Sequence, residues 1–336
     1  MTNKTKFLLP AGLRDVLPDE AEAEFSAIKS LVENFAKWGY RLVSTPMAEY
    51  EDSLYLGSGE SLRNQTLKLF DPQNQQIMGI RADITTQIAR LVQSRMENEK
   101  LPIRLCYAGN ILRANSANTN GDRQLKQVGV ELITEKPSAA ADAEIAILAL
   151  ESLLEIGLQE ITIDLNTPKL IQIIFPNLDE ATSQALHKRE LDSLPAEIIQ
   201  YIKASGNAEN AFKILNDNLP EKARTQIEYL RSVYEKIIET GLKCNITVDF
   251  IENRGFEYHE DFSFSLFAKG IRDEIGRGGR YKIGKLNASG FTCYLNSVSE
   301  RLNLATKPKF QEIEANLPYS EIKKLHTQGI SVIKKL

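Results

Sequence analysis

Apolar residues at Phe25, Ile28, Val32 and Phe35 recur at helical spacing, predicting an amphipathic helix over 19 to 38 with Asp19 as its cap. Gly39 ends it, and the run from Tyr40 to Pro46 reads as a strand stopped by proline. A short strand follows over 77 to 81, then a helix opened by Thr85 or Thr86 and carrying Ile88, Leu91 and Val92. Two strands, about 103 to 113 and 123 to 133, flank an Asn/Gly-rich connection, the pattern of a long antiparallel hairpin. An alanine-rich helix over about 138 to 156 ends at Gly157, and Ile161, Ile163 and Leu165 alternate along a strand from 159 to 166.

From 169 to 240 the texture is helical, broken at Pro195, Ser205-Gly206 and Pro220, and reads as a helical insertion. Strand patterns resume at 244 to 251, 261 to 268 and about 290 to 295. A charged tail from about 305 predicts one or two short helices. Strands grouped around an inserted helical block indicate an α+β fold with a largely antiparallel sheet flanked by helices, not alternating βαβ units. The expected organisation is a core formed by 1–168 and 241–304, an insertion over 169–240 and a short tail over 305–336.

The 336 residues are ample for a buried core, with 42% apolar and 26% charged residues, the balance of a soluble globular chain. A net charge of −4 gives no footprint for nucleic acid. The three cysteines (Cys106, Cys244, Cys293) and three histidines (His187, His259, His326) are scattered without metal-ligand spacing, so no metal site is expected. Sparse cysteines fit a reducing, cytoplasmic compartment. The first residues lack the apolar core of a signal peptide, and no apolar run approaches the roughly 18 residues of a membrane span.

Candidate chemistry lies on the hairpin. Alternation on its returning strand puts Gln127, Gly129 and Glu131 on one face and Val128, Val130 and Leu132 on the other. On the outgoing strand Tyr107, Gly109, Ile111 and Arg113 share a face, so Arg113, Gln127 and Glu131 become neighbours if both polar faces look into one cavity. The alternative is the solvated outer face of an edge hairpin, against which stand two glycines where branched residues pack better. Asp83 and Thr85 offer a further carboxylate and hydroxyl, or simply cap the following helix. Together these groups could hold an amino acid: Asp83 for an ammonium, an arginine for a carboxylate, Glu131 for a side-chain donor.

A last segment, Arg254-Gly255-Phe256-Glu257-Tyr258-His259, is followed by Gly278-Gly279-Arg280-Tyr281, read as a glycine-rich turn returning beside the strand over 261 to 268. An arginine there can line a small-anion pocket, or form a surface salt bridge. The order Arg-Gly-Phe-Glu-Tyr-His resembles the histidine-specific segment of histidyl-tRNA synthetases and their non-synthetase relatives. Further segments resemble the same family in order. Leu9-Pro10-Ala11-Gly12-Leu13-Arg14-Asp15 looks like its N-terminal signature, and the first helix and strand resemble class II motif 1, the dimer element. Arg81 to Thr85 looks like its Arg-Pro-Asp/Glu-x-Thr with Ala82 replacing proline. Arg113 through Glu131 resembles motif 2, and Gly278 to Tyr281 the family's Gly-Gly-Arg-Tyr. The resemblance implies a class II aminoacyl-tRNA synthetase-like core. It places Asp83, Thr85, Gln127, Glu131, Tyr258 and His259 where synthetases contact histidine, with His259 standing for a second tyrosine. Arg113 and Arg254 fall at the arginines that handle the carboxylate and the activated phosphate.

Departures from the pattern are as informative. Arg113-Ala114-Asn115 lacks the carboxylate that helps seat ATP, and counting seven from Gly290-Phe291 lands on Ser297 where motif 3 has arginine, with Arg301 a turn further on. Some 34 residues after about 302 are too few for an anticodon-binding domain, so no tRNA is expected. That combination resembles the regulatory subunits of bacterial ATP phosphoribosyltransferase. The resemblance implies a chain without catalysis or cofactor that dimerises and joins a short-form catalytic subunit in a hetero-octamer. It also implies activation of that subunit and feedback inhibition by L-histidine. An ATP-dependent amino-acid-activating enzyme on the same fold, or an amino-acid sensor with another partner, are the competing readings.

Overall fold

In the computed structural model, which describes residues 7–55, 60–116, 121–168, 170–188, 190–214, 219–250, 261–298, 301–302 and 310–335, the predicted hairpin lies inside a nine-stranded sheet. The chain runs α1 (Pro18–Lys37), β1 (Arg41–Leu42), β2 (Ala48–Tyr50), α2 (Glu51–Leu54), α3 (Glu60–Gln65), β3 (Leu67–Asp71), β4 (Gln76–Ile80), α4 (Thr85–Arg95), β5 (Ile103–Leu112), β6 (Gln124–Thr134), α5 (Ala139–Glu155) and β7 (Ile161–Asn166). It continues through α6 (Leu170–Ile174), α7 (Glu180–Lys188), α8 (Ala196–Ala204), β8 (Gly206–Asn207), α9 (Ala208–Ile214), α10 (Glu221–Glu239), β9 (Asn245–Val248), β10 (Ser263–Ala268), β11 (Gly276–Ile283), β12 (Leu286–Tyr294) and α11 (Leu295–Val298). β13 (Phe310–Ile313), α12 (Tyr319–Thr327) and β14 (Ser331–Lys334) follow.

The large sheet has the order β1-β5-β6-β12-β11-β10-β7-β9-β8, antiparallel except for the β1–β5 and β7–β9 pairs. Its two faces are packed differently. Cys106, Val128, Val130 and Leu132 point into the main core with α1 and α5, and α10 packs on α5 from outside. α5 is apolar on most sides (Ile145, Ala146, Leu148, Ala149, Leu150, Leu153), as a helix enclosed between a sheet and two other helices must be. The opposite face carries Leu105, Tyr107, Ile111, Leu125 and Ile133 against Ile84, Ile88 and Val92 of the α4 region, a smaller second core. Each such side chain contributes about 1.5–3 kcal/mol on burial. A solvated outer face is thereby excluded: both sides of the hairpin are covered.

Several expectations need correction. The buried stripe of α1 is Ala23, Ala27, Leu31 and Phe35, while Phe25 is 71% exposed. That stripe packs in the main core, where α1 meets the alanine-rich α5, and Phe25 lies off it. Asp19 does not cap this helix: Leu17 is the N-cap and Pro18 starts the helix, its fixed φ and missing N–H suiting that position. The strand expected over 40 to 46 pairs only at Arg41–Leu42, on the sheet edge, before Pro46. Gly278 and Gly279 are not a turn but lie inside β11, paired on both sides. A Cβ on Gly278 would sit 2.4 Å from the Phe264 ring, so glycine there serves close packing of β10 on β11.

The tail holds one short helix, α12, within the expected one or two, but as part of a β-α-β unit whose strands β13 and β14 pair in parallel and were not expected. Gly329, at φ +75°, turns the chain out of α12 and back into β14. Within 169–240 the helices α8 and α10 start directly after Pro195 and Pro220, but two residues, Gly206–Asn207, form the edge strand β8 on β9. Ala223, Ile227, Leu230, Val233 and Ile237 of α10 belong to the main core. Among the described residues no helix is long and apolar enough to cross a membrane.

Candidate functional site

The polar face of the hairpin meets the chain as it enters α4. Arg81, just before that entry, is held by three backbone contacts: its amide donates to Met47 O (2.9 Å), Nε to Asn110 O (2.7 Å) and Nη1 to Thr45 O (2.9 Å). A Cβ on Gly109 would lie 2.4 Å from Arg81 Nη2, so the gap at Gly109 admits this guanidinium. Burial lowers the Arg81 pKa. Glu49 of β2 accepts from Gln87 (2.8 Å) and from Arg90 Nε and Nη2 (2.9 and 2.7 Å), tying α4 to the three-stranded sheet β2-β4-β3. The 82–85 turn is therefore braced from both ends.

Within that turn Asp83 does local and forward work. Its Oδ1 accepts from the Thr85 amide (2.7 Å) and from Gln127 Nε2 (3.1 Å), but neither Asp83 nor Thr85 is the N-cap of α4, which is Ile84 with no side-chain cap bond. Gln127 Oε1 in turn accepts from the Ile84 amide (3.0 Å), which fixes the orientation of the side-chain amide. Asp83 Oδ2 is buried and has no hydrogen-bond partner among the described residues. A buried carboxylate oxygen left unsatisfied is costly, and a ligand donor is the natural complement.

Glu131 lies four residues beyond Gln127 on the same face of β6, equally buried. Its Oε2 accepts from the Tyr281 hydroxyl (2.9 Å) and Oε1 from the Tyr107 hydroxyl at a longer 3.4 Å. Tyr107 also shares a hydrogen bond with Thr85 Oγ1 (3.1 Å). The strand register explains the space: Glu131 pairs with Gly290 of β12, and Gly290 with Gly279 of β11. A Cβ on Gly290 would fall 1.8 Å from Glu131 Oε2, so the carboxylate lies over a strand position where only glycine fits. Gly129 makes similar room, a Cβ there meeting the Tyr107 hydroxyl at 2.6 Å.

Burial pushes the Glu131 pKa up to about 8, with the charge of Asp83 adding to the rise and the Tyr281, Thr85 and Tyr107 hydroxyls opposing it. Tyr107 and Tyr281 are raised well above the usual phenol value, by burial first and Glu131 second. Two enclosed carboxylates ringed by hydroxyls and an amide favour a cationic or strongly donating ligand.

Four of the expected site residues, Asp83, Thr85, Gln127 and Glu131, thus form one hydrogen-bonded group. Arg113 stands at its rim: Nε donates to Ala82 O (3.3 Å), Nη2 to the Tyr294 hydroxyl (2.9 Å), and the guanidinium lies 5.3 Å from the Tyr294 ring centre. Arg254, Tyr258 and His259 lie outside the described residues. Asn115 is exposed, Ser297 is half-buried in α11, and Arg301 hydrogen-bonds Gly270 O (3.4 Å) in the β10–β11 connection. Tyr107 and Tyr281 were not among the expected site residues. Their signal was parity, since each shares a sheet face with Glu131 through in-register neighbours. Arg280, next to Tyr281, points to the other face and forms a buried ion pair with Asp142 of α5, with Tyr229 of α10 bonded to both. No group of three or more His, Cys, Asp or Glu is placed to hold a metal among the described residues.

Comparison with known proteins defines the class first. A family model described as histidyl-tRNA synthetase matches residues 12–298. The fold is that of a histidyl-tRNA synthetase-like class II protein. A Bacillus halodurans structure described as an ATP phosphoribosyltransferase regulatory subunit/histidyl-tRNA synthetase superposes with a TM-score of 0.84 at 23% identity, covering 100% of this chain and 94% of its own. The histidyl-tRNA synthetase of a Nostoc species gives 0.80 at 19% identity, covering 98% and 86%. Sequence relatives are more specific. ATP phosphoribosyltransferase regulatory subunits of Rhodospirillum centenum and Rhodospirillum rubrum are 36% and 37% identical, over 98% and 89% of this chain and 89% and 83% of theirs. The chain belongs to the ATP phosphoribosyltransferase regulatory subunit family.

Proposed function

We propose that this chain is a non-catalytic regulatory subunit acting in histidine biosynthesis, and that the pocket between α4 and β6 takes L-histidine. The observation that carries the reading is the buried, unpartnered Oδ2 of Asp83, set beside a second enclosed carboxylate on Glu131. Asp83 receives the α-ammonium and Glu131 an imidazole N–H, while Thr85 and Gln127 hold the two acids in place. By the family resemblance Arg113 and Arg254 are assigned to the α-carboxylate, and Tyr258 and His259 to histidine binding.

The regulatory-subunit relatives support a partner catalytic subunit. The chain forms a homodimer, joins a short-form ATP phosphoribosyltransferase in a cytoplasmic hetero-octamer, activates it, and makes it sensitive to histidine. Histidine acts only through different affinities for the active and inhibited assemblies. The core of 1–168 and 241–304 carries the pocket, with 169–240 as insertion and 305–336 as tail, and no tRNA is bound. Absence of catalysis follows from Asn115 and Ser297 standing where ATP-handling groups belong. Losing a positioning carboxylate and a phosphate-facing arginine removes several kcal/mol of transition-state stabilisation.

Calorimetry with L-histidine tests the pocket. Wild type should bind, and Glu131→Ala should bind roughly 10- to 100-fold more weakly, the loss expected for one hydrogen bond to a charged group. Absence of heat with wild type would contradict the reading. Histidine-dependent pyrophosphate exchange into ATP should stay at background, and a clear signal would make the chain an amino-acid-activating enzyme instead.

A further inference from the structure

The surroundings of Glu131 say more about its ligand than that it donates a hydrogen bond. From β5 the carboxylate faces Tyr107, from the α4 entry Thr85 and Asp83, from β11 Tyr281, and from β12 the bare backbone of Gly290. On the reverse of the sheet Tyr40 feels its charge. These groups are neutral or negative. No Lys, Arg or His hydrogen-bonds Glu131 among the described residues, and Arg113, the one of the two proposed site arginines that is described, is engaged with Ala82 O and Tyr294 at the rim. Among the described residues only phenols, a hydroxyl and another acid surround Glu131, and a buried acid so placed is more stable protonated than ionised.

Resting on the reading of the pocket as a histidine site, we propose that Glu131 hands its proton to the entering neutral imidazole, so that the pocket selects its ligand by ring basicity as well as by shape. One O–H bond on Glu131 breaks and one N–H bond on the imidazole forms. The total of protons is unchanged, and a neutral acid beside a neutral base becomes a carboxylate–imidazolium pair. Tyr281 then stabilises the carboxylate through Oε2 while the weaker Tyr107 contact at Oε1 yields to the ligand. Charge-assisted pairs are roughly twice as strong as neutral hydrogen bonds, and this enclosure keeps water from competing for it. A ring of the same size that cannot accept the proton gains none of this.

The pH consequence follows from the one proton that the pair holds, and the basicity of the ring tests its transfer. The complex holds one proton on the pair. Below the imidazole's own value near 6.5 binding releases a proton, and above the Glu131 value of about 8 binding must take one up. Affinity should therefore be greatest between the two and fall roughly tenfold per pH unit well above 8.

Calorimetry of the full chain with L-histidine from pH 5.5 to 8.5, repeated in buffers of different ionisation enthalpy, tests this. Wild type should take up roughly half to one proton at pH 8.5 and about none near pH 7. Glu131→Gln, which has no proton to give, should show affinity rising through about 6.5 and then level. Both proteins share the titration of the ligand's α-ammonium, so their difference isolates Glu131. At pH 7 wild type should bind β-(1,2,4-triazol-3-yl)alanine, a far weaker base of the same ring size, on the order of tenfold or more less tightly than histidine.

The proposal is overturned if wild type follows the Glu131→Gln profile, if affinity starts to fall near 6.5, or if the triazole binds as well as histidine. The wild-type profile tests that the bound pair holds one proton and the triazole comparison tests the transfer, even where the variant does not fold. Histidine binding with any of those profiles leaves the pocket reading intact, whereas no binding at any pH removes both.

Discussion

The hydroxyl of Tyr281 on β11 reaches across β12 to Oε2 of Glu131 on β6, a 2.9 Å hydrogen bond spanning an intervening strand. The reach exists because the intervening position, Gly290, has no side chain. Three strands thus cooperate to lay one carboxylate flat in the sheet face beside Asp83.

Replacing Gly290 by alanine should break this arrangement from within the sheet. The new Cβ would collide with Glu131 Oε2 and with Val130 O at 2.7 Å. We expect a loss of about 1–3 kcal/mol, read as a lowered thermal midpoint, together with weakened histidine binding. Removing the obstructing carboxylate in Gly290→Ala/Glu131→Ala should recover part of the stability and none of the binding. Strict additivity of the two single losses would place the clash elsewhere.

The Glu131 carboxyl should make the protein less stable as pH rises. Its value is about 8 when folded against 4.5 for the free side chain, so the folded chain holds the proton more tightly. The stabilisation is complete below about 4.5, declines across 4.5 to 8, and is lost above 8, on the order of 5 kcal/mol in all. Glu131→Gln stays neutral throughout. Thermal melts at pH 5, 6.5 and 8 should show the variant gaining on wild type with pH, and parallel curves would refute the assignment.

How far the pocket could be read from sequence depends on which physical constraint was involved. The period of two along β6 correctly separated Gln127, Gly129 and Glu131 from Val128, Val130 and Leu132, because side-chain parity is a local property of a strand. What covers each face is not local. Gly109 admits the Arg81 guanidinium, a partner that alternation along β5 cannot reveal, and the Gly278-Gly279 turn proved to be strand interior shaped by Phe264. Tyr107 and Tyr281 reach Glu131 through register between strands distant in sequence. The exposure of Phe25 depends on which stripe of α1 meets the main core, which periodicity within α1 cannot reveal. The helix of the tail was expected, but its strands were missed because they are four residues each, too short for alternation to register.

Behind the pocket, Arg280 and Asp142 form a buried ion pair, with Ser289 and Tyr229 bonded to the same carboxylate. Arg280→Ala leaves Asp142 enclosed without its counter-charge and should cost about 3–5 kcal/mol, visible in denaturant unfolding. Arg280→Met with Asp142→Leu should recover much of that. A single mutant as stable as wild type would show that the pair does not hold α5 to the sheet.

Asp83→Ala should erase the preference for a ligand bearing an α-ammonium. Wild type is expected to favour L-histidine over 3-(imidazol-4-yl)propionate, which lacks that group, by roughly tenfold or more, from one charged hydrogen bond. The variant should bind both about equally. An undiminished preference would assign the ammonium to another acceptor.

The central claim is regulation, and the rate of a short-form catalytic ATP phosphoribosyltransferase measured with this chain, as histidine is titrated, tests it most directly. The account predicts that adding the chain raises the rate, that histidine then lowers it, and that an Asp83→Ala chain still activates but needs roughly 10- to 100-fold more histidine for the same inhibition. A rate indifferent to the chain, or inhibition unchanged by a variant that no longer binds histidine, would contradict it.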